Sequence, residues 1–264
     1  MAVYRDDLAF IHDAGFSDFC RGAAPWLLRS LPAAPGLVID LGCGSGRWTS
    51  ILTEHGYRVM GIDPSAAFLR LARRNAPGAK FVRGSLWDAR FPPACGVTAI
   101  GECLNYLDDS RRRVSDHSLD RLFARVFHAL EPGGVLLFDV AGPARIPVNG
   151  PTHFWTEGPG WAVLVETAGD LRRRSLTRRI VSFRRVGGAF RRSEELHRLR
   201  LYEPETVLTA LRRSGFDANA FQSYGRYPLP PGVTAFRARR PVASDPVAVH
   251  LPHSGKHPAN SPKR

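Results

Sequence analysis

Along the first 140 residues, apolar positions fall into five short runs, each separated from the next by polar or helically spaced residues. Leu37–Leu41 is continuous and apolar but for one acid, as in a strand buried on both faces of a parallel sheet. Tyr57–Ile62, Ala79–Val82, Val97–Gly101 and Val135–Val140 read the same way. Helices are predicted over Arg47–His55, stopped by Gly56, and from a Ser65 cap to Asn75, stopped by Pro77. Leu119, Leu122, Phe123, Val126 and Leu130 share one helical face, which Pro132-Gly-Gly134 ends. Two more helices, Asp6–Asp13 and Phe16–Ser30, precede the first strand.

The alternation of strand and helix predicts an α/β, Rossmann-like doubly wound sheet of seven strands. Five are parallel, and a final pair, Phe216–Phe221 and Val233–Ala238, brings an antiparallel edge. Between these sets, Trp161–Thr167, Ser175–Val186 and Ala189–Tyr202 lack helical periodicity and are broken by Gly-containing turns. An antiparallel β meander is therefore expected after strand five. A last helix, Glu203–Ser214, follows it, with Pro204 near its first turn and Gly215 just past its end. The expected organisation is a helical lid over 1–36, a ligand-binding core over 37–150, an inserted cap over 151–202, a return to the core over 203–241, and a disordered tail over 242–264.

Composition narrows the function. No run approaches the ~20 apolar residues of a membrane span. Arg5, Asp6, Asp7 and Asp13 interrupt the N-terminus, unlike a signal peptide, so a soluble, cytoplasmic chain is expected. Cys20, Cys43, Cys95 and Cys103 have neither disulfide nor zinc spacing, and no metal is expected. The net charge of +13 rests on Arg, with Lys only at 80, 256 and 263. It predicts a solvated basic surface or an acidic small-molecule ligand; with no RNA-binding motif or zinc finger, nucleic acid is not the expected partner.

The richest segment is Val38-Ile-Asp-Leu-Gly-Cys-Gly-Ser-Gly-Arg47. A glycine-dense turn between a strand and a helix lets a ligand approach the backbone. Gly42, Gly44 and Gly46 do not fit the dinucleotide spacing, whose third glycine would fall at Arg47. Asp40, two residues before the first glycine, suits an ammonium and would repel a pyrophosphate. Asp63 in Gly61-Ile-Asp-Pro-Ser65 ends the second strand, where a carboxylate can accept two ribose hydroxyls.

These residues resemble the cofactor motif of class I S-adenosylmethionine-dependent methyltransferases of the small-molecule, methyltransferase-domain-25-like type. Phe81-Val-Arg-Gly-Ser-Leu-Trp-Asp88 is similar to that family's third-strand motif, and Ala99-Ile-Gly-Glu-Cys-Leu-Asn-Tyr106 to its fourth. Leu130-Glu-Pro-Gly-Gly-Val-Leu-Leu-Phe138 resembles its turn into the fifth strand. The resemblance implies S-adenosyl-L-methionine as cofactor and Asp40, Gly42, Cys43, Gly44, Gly46, Asp63, Pro64, Ser85, Leu86, Gly101 and Glu102 as its binding residues. It implies transfer of a methyl group to N or O of a small molecule. The alternatives are an RNA or protein methyltransferase, a nicotinamide-dependent oxidoreductase and a non-catalytic cofactor-binding domain.

The acceptor is expected beyond the carboxyl ends of the strands, beneath the inserted cap. Glu195, His197, Leu199 and Leu201 share one strand face, so His197 is a candidate general base or a structural histidine bonded to Glu195. Glu102, Asn105 and Tyr106 stand at the fourth-strand exit, and Glu102 and Tyr106 join His197 as catalytic candidates. Asp139 suits either pocket lining or turn capping; Tyr4, Phe16 and Phe19 suit a lid or simple packing. Residues 151–201 hold eleven Arg against five Asp or Glu, a composition suited to a carboxylate or phosphate on the acceptor.

Overall fold

Helices α1 (Asp6–Gly15) and α2 (Asp18–Ser30) lead into β1 (Leu37–Leu41), α3 (Arg47–Glu54), β2 (Arg58–Asp63), α4 (Ala66–Asn75), β3 (Lys80–Arg83) and β4 (Ala94–Ala99). Next come α5 (His117–Ala129) and β5 (Leu130–Ala141). Strands β6 (Thr152–Gly158), β7 (Trp161–Asp170), β8 (Ser175–Val186) and β9 (Ala189–Arg200) precede α6 (Pro204–Arg213). The chain closes with β10 (Asp217–Phe221), the short pair β11 (Ser223–Tyr224) and β12 (Tyr227–Pro228), and β13 (Val233–Arg239). This computed structural model describes residues 3–16, 18–107 and 117–242. The tail expected over 242–264 lies outside them apart from Val242.

One seven-stranded sheet runs β10-β13-β5-β4-β1-β2-β3. Its central strands pair in parallel. β13 is antiparallel to both β5 and β10, so the reversed strand stands one place in from the edge. The strand order reverses direction at β1 and β4, whose carboxyl ends diverge into a crevice.

Both faces of this sheet are covered. On one, Leu119, Phe123 and Val126 of α5 and Val207 and Leu211 of α6 pack against Ile39, Val97, Phe138 and Phe236. On the other, Ala23 and Leu27 of α2 and Trp48 and Leu52 of α3 pack against Val38, Val59 and Leu137. Central strands must be apolar on both sides to fill these two layers, which is why they appear as unbroken runs in the sequence.

A second sheet, β6-β7-β8-β9, is wholly antiparallel. It has four strands where three were expected. The additional strand β6 is nearly all exposed, so burial imposes no alternation on it. The sheet is locked to the core by a bridge between Tyr106 and Leu199 and by a buried cluster of Val3, Tyr106, Ala141, Leu176, Leu199 and Leu201. Helix α1 joins the two bodies. Its Leu8 and Ile11 pack on Trp161, Val163 and Ile180 of the cap, while Ala9 meets Ala67 and Phe68 of α4. Asp7 anchors the same helix to Arg191, with Nε to Oδ2 at 2.6 Å. No helix among the described residues is long and apolar enough to cross a membrane.

Candidate active site

A cavity of about 440 Å³ opens over the carboxyl ends of β1, β2 and β4. Its floor is the β1–α3 turn. Gly42 and Gly44 adopt left-handed backbone angles, φ +66° and +54°. A Cβ at Gly44 would meet nothing nearer than 4.0 Å, so the bare backbone faces open space there. Asp63 ends β2 beside it and accepts the N–H groups of Gly44 at 3.0 Å and Ser65 at 2.8 Å. Burial pushes the Asp63 carboxyl up to about 6, against the lowering effect of those two donors.

Asp40 sits deeper and lines the same cavity. The hydroxyls of Thr49, at 2.7 Å, and Thr98, at 2.9 Å, donate to its two oxygens. Burial raises its pKa to about 6, and the two hydroxyls offset part of that rise. Each oxygen keeps a second acceptor position.

The exit of β4 forms the opposite wall. Gly101 has φ +92° and Glu102 φ +59°, a left-handed turn that is costly for a residue with a side chain. Asp139 at the end of β5 holds this turn, accepting the N–H groups of Gly101 at 2.8 Å and Glu102 at 2.6 Å. The phenol of Tyr224 donates to the same carboxylate at 2.7 Å. Asp139 thus both lines the cavity and caps the turn, and burial raises its pKa to about 6.

The cap and the N-terminal segment close the remaining side. Arg178 of β8 enters the cavity and donates from Nη2 to Oε2 of Glu102 at 2.7 Å. Burial opposes the charge on Arg178, but Glu102, Tyr106 and Tyr4 together outweigh it and the pKa is raised. Tyr4 and Tyr106 meet hydroxyl to hydroxyl at 2.8 Å. Burial raises both phenol pKa values, so neither ionises near neutral pH. His12 also faces the cavity, its pKa lowered to about 4 by burial. Phe16, Phe19 and the β12 turn through Tyr227 and Pro230 complete the wall.

Most residues expected at the site therefore converge. Asp40, Gly42, Cys43, Gly44, Asp63, Pro64, Leu86, Gly101, Glu102 and Tyr106 all line this cavity. Three others stand behind it. Gly46 begins α3 with φ +79°, and a Cβ there would come within 2.9 Å of the Ala72 Cα, so this glycine lets α3 approach α4. Ser85 caps its own turn by accepting the N–H of Trp87 at 3.1 Å. His197 is fully buried outside the lining, with Nε2 3.0 Å from Oε2 of Glu195. Its ring packs against those of Tyr4 and Tyr106. His197 thus stands behind the cavity wall, next to Glu195, rather than in the lining. Asn105 is also structural, bonding the backbone of Ala141 in both directions at 2.9 Å.

Sequence reasoning did not single out Arg178, Arg145 or His12. Arg178 is one of eleven arginines in the cap, and only the β8–β9 register, which sets it opposite His197, marks it as inward-facing. No cluster of metal-ligating side chains occurs among the described residues.

Comparison with known proteins agrees with this geometry. A family model described as a methyltransferase domain matches residues 38–134, which carry the glycine turn, Asp63 and the β4 exit. A trans-aconitate 2-methyltransferase from Paracidovorax citrulli (strain AAC00-1) is 34% identical over 164 residues, covering 61% of this chain and 60% of that protein. The chain thus spans less than two thirds of that relative's length. The solved structure of an amino pentose methyltransferase from Micromonospora echinaspora superposes with a TM-score of 0.70 at 18% identity, over 91% of this chain and 99% of the other. That of a sugar N-methyltransferase from Streptoalloteichus sp. ATCC 53650 gives 0.70 at 20% identity, over 91% and 97%. At those identities the likeness is one of fold. Residues 38–134 thus match a methyltransferase domain, and the chain shares its fold, with a glycine-floored cavity at the β1–β4 crevice, with these methyltransferases.

Proposed function

We propose that this protein transfers a methyl group from S-adenosyl-L-methionine to N or O of a small-molecule acceptor. One observation carries the reading: a single cavity runs from the glycine turn and Asp63 to the half-buried Arg178, Glu102 and Tyr4 and the buried Tyr106 beneath the cap. A cofactor and a small acceptor placed in it would share one water-poor space.

The residues present fit the cofactor. The open space above Gly44 and Gly101, where an added Cβ meets nothing nearer than 4.0 Å at Gly44 and nothing within 4 Å at Gly101, leaves backbone free for contact. Asp63 would accept ribose hydroxyls, Asp40 would face the ammonium, and Leu86 would flank the adenine. When bound, S-adenosyl-L-methionine supplies an electrophilic methyl on a sulfonium whose leaving group is a neutral thioether. The chain's own task is then to align the nucleophile and exclude water, and orientation of this kind contributes roughly 7–11 kcal/mol.

No strong free base faces the acceptor end among the described residues. Glu102 is paired with Arg178, and His12 is held at about 4. An acceptor that arrives as a carboxylate would need none, and the basic cap and the trans-aconitate relative favour an acid. The test is calorimetric titration with S-adenosylhomocysteine, followed by a screen of acids, amines and alcohols with methyl-labelled S-adenosylmethionine. Labelled product with any of these classes is expected. Preference for NADH over S-adenosylhomocysteine would revive the oxidoreductase reading, and label only in RNA or protein would move the acceptor to a macromolecule.

A further inference from the structure

At the acceptor end, one carboxylate stands between two arginines. Glu102 places Oε2 2.7 Å from Nη2 of Arg178 and Oε1 3.7 Å from Nε of Arg145. The Arg145 Nε is buried and has no hydrogen-bond partner. Arg178 is the only one of the two that lines the cavity. The trio sums to +1 and is only partly exposed, with one buried donor left over. A further anion would complete this arrangement, because the half-buried Arg178 and the buried Nε of Arg145 are left with donor capacity that water meets only in part.

The Glu102 backbone adds a second observation. It is held at φ +59° by Asp139, so the carboxylate is presented to Arg178 from a strained turn. A carboxylate delivered under strain to a cation at the end of an open cavity occupies the position that a ligand carboxylate would take. The neighbours Tyr4 and Tyr106 keep their phenol protons, and the one not spent on their mutual hydrogen bond is free to donate to a ligand.

We propose that Arg178, backed by Arg145, is the receptor for a carboxylate of the acceptor, and that Glu102 is a resident carboxylate competing with the acceptor for it. This rests on the methyltransferase reading above only for the word acceptor; the anion site itself stands on the trio. Arg178 offers a fork that a carboxylate can meet with two oxygens. Glu102 then tunes selectivity, since a weak or singly bonded anion cannot displace it. Its removal tightens anion binding, which is the reverse of what a direct ligand-binding or proton-accepting role would give.

The experiment is calorimetric titration of the full chain, loaded with S-adenosylhomocysteine, using citrate, inorganic phosphate and glycerol. Glu102→Gln is expected to bind citrate about tenfold more tightly than wild type, since an anionic competitor is gone, and Arg178→Met about tenfold more weakly or not at all. Arg178→Lys, which keeps the charge without the fork, is expected to fall between. In Arg178→Met and Arg178→Lys the affinity for S-adenosylhomocysteine should stay within about twofold, which separates this site from the cofactor site. Should Arg178→Met fail to fold, Glu102→Gln and Arg178→Lys still decide. Citrate binding that Arg178→Met or Arg178→Lys leaves unchanged, or that Glu102→Gln weakens or leaves as it was, overturns the proposal. So does tighter binding of phosphate than of citrate, or no citrate binding in either wild type or Glu102→Gln. If S-adenosylhomocysteine does not bind, the same titrations on the unloaded chain still report on the trio, while the methyltransferase reading fails by itself.

Discussion

The Glu195 carboxylate of β9 accepts the backbone N–H of Tyr4 at 2.7 Å, joining positions 191 residues apart. Its other oxygen takes the N–H of Arg5 at 2.8 Å, and His197 Nε2 lies 3.0 Å from the first. The carbonyl of Tyr4 accepts the Ser65 hydroxyl at 2.7 Å. The N-terminal segment is thereby pinned across the cavity at the point where Tyr4 meets Tyr106. Buried and already charged, Glu195 is the latch, and His197 is its neighbour rather than a group open to substrate.

Glu195→Gln should therefore loosen the lid. Losing hydrogen bonds to a charged acceptor costs about 1.5–3 kcal/mol, so release of S-adenosylhomocysteine should quicken roughly tenfold. Stopped-flow displacement measures this, and hydrogen exchange at Tyr4 and Arg5 should rise in parallel. His197→Gln should act through the same latch and leave the pH profile of methyl transfer unchanged. A profile that loses its basic limb in His197→Gln would identify His197 as the general base.

Cofactor affinity should depend on pH through Asp63. Its carboxyl sits at about 6 in the free protein, and hydroxyl donors from a ribose favour the ionised form. Affinity is then complete above that value and falls as pH drops through it, towards tenfold per pH unit. Calorimetry with S-adenosylhomocysteine across this range should show the loss, and Asp63→Asn should make it shallower, leaving the share that Asp40 contributes. A flat wild-type curve would contradict the ribose assignment.

Stability should run in the opposite direction at Asp40. The folded pKa of about 6 lies above the ordinary 3.8, so the native state binds more protons between those values. The resulting stabilisation is complete below the unfolded pKa and is lost as pH rises through the folded one. Asp40→Asn, which carries no such charge, should gain on wild type by on the order of 1–2 kcal/mol between pH about 5 and about 7.5 in urea melts. An unchanged difference between the two pH values would refute it.

Two glycines should respond differently to alanine. At Gly46 a Cβ meets backbone at 2.9 Å in a left-handed conformation, whereas at Gly101, with φ +92°, the space is open. Gly101→Ala carries backbone strain of about 1–3 kcal/mol alone, and Gly46→Ala adds the displacement of α4. Urea denaturation should rank Gly46→Ala clearly less stable. Equal midpoints would mean that α3 and α4 separate freely.

The core was legible because a strand buried on two faces must be apolar throughout, so Leu37–Leu41 and its partners stood out as runs. The glycine turn was legible because Gly42 and Gly44 adopt angles that disfavour other residues. Strand β6 was not, because an exposed edge carries no burial pattern. The start of β5 at Leu130 was also hidden, since Pro132 and Gly133 read as a turn, and β4 pairs with Leu130 and then only from Val135 onwards. Arg178 and Arg145 were invisible for another reason: their partner Glu102 lies 76 and 43 positions away, and sequence does not carry that distance. His197 shows the limit of a face assignment, which placed it inward but could not tell cavity from core.

The most direct test is titration of the protein and of Asp63→Ala with S-adenosylhomocysteine, with NADH as the control ligand. Wild type should bind S-adenosylhomocysteine, and the variant should bind it about a hundredfold more weakly, the effect of two charge-assisted hydrogen bonds. Neither should bind NADH. Equal binding by wild type and Asp63→Ala, or a preference for NADH, would contradict the cofactor site described here.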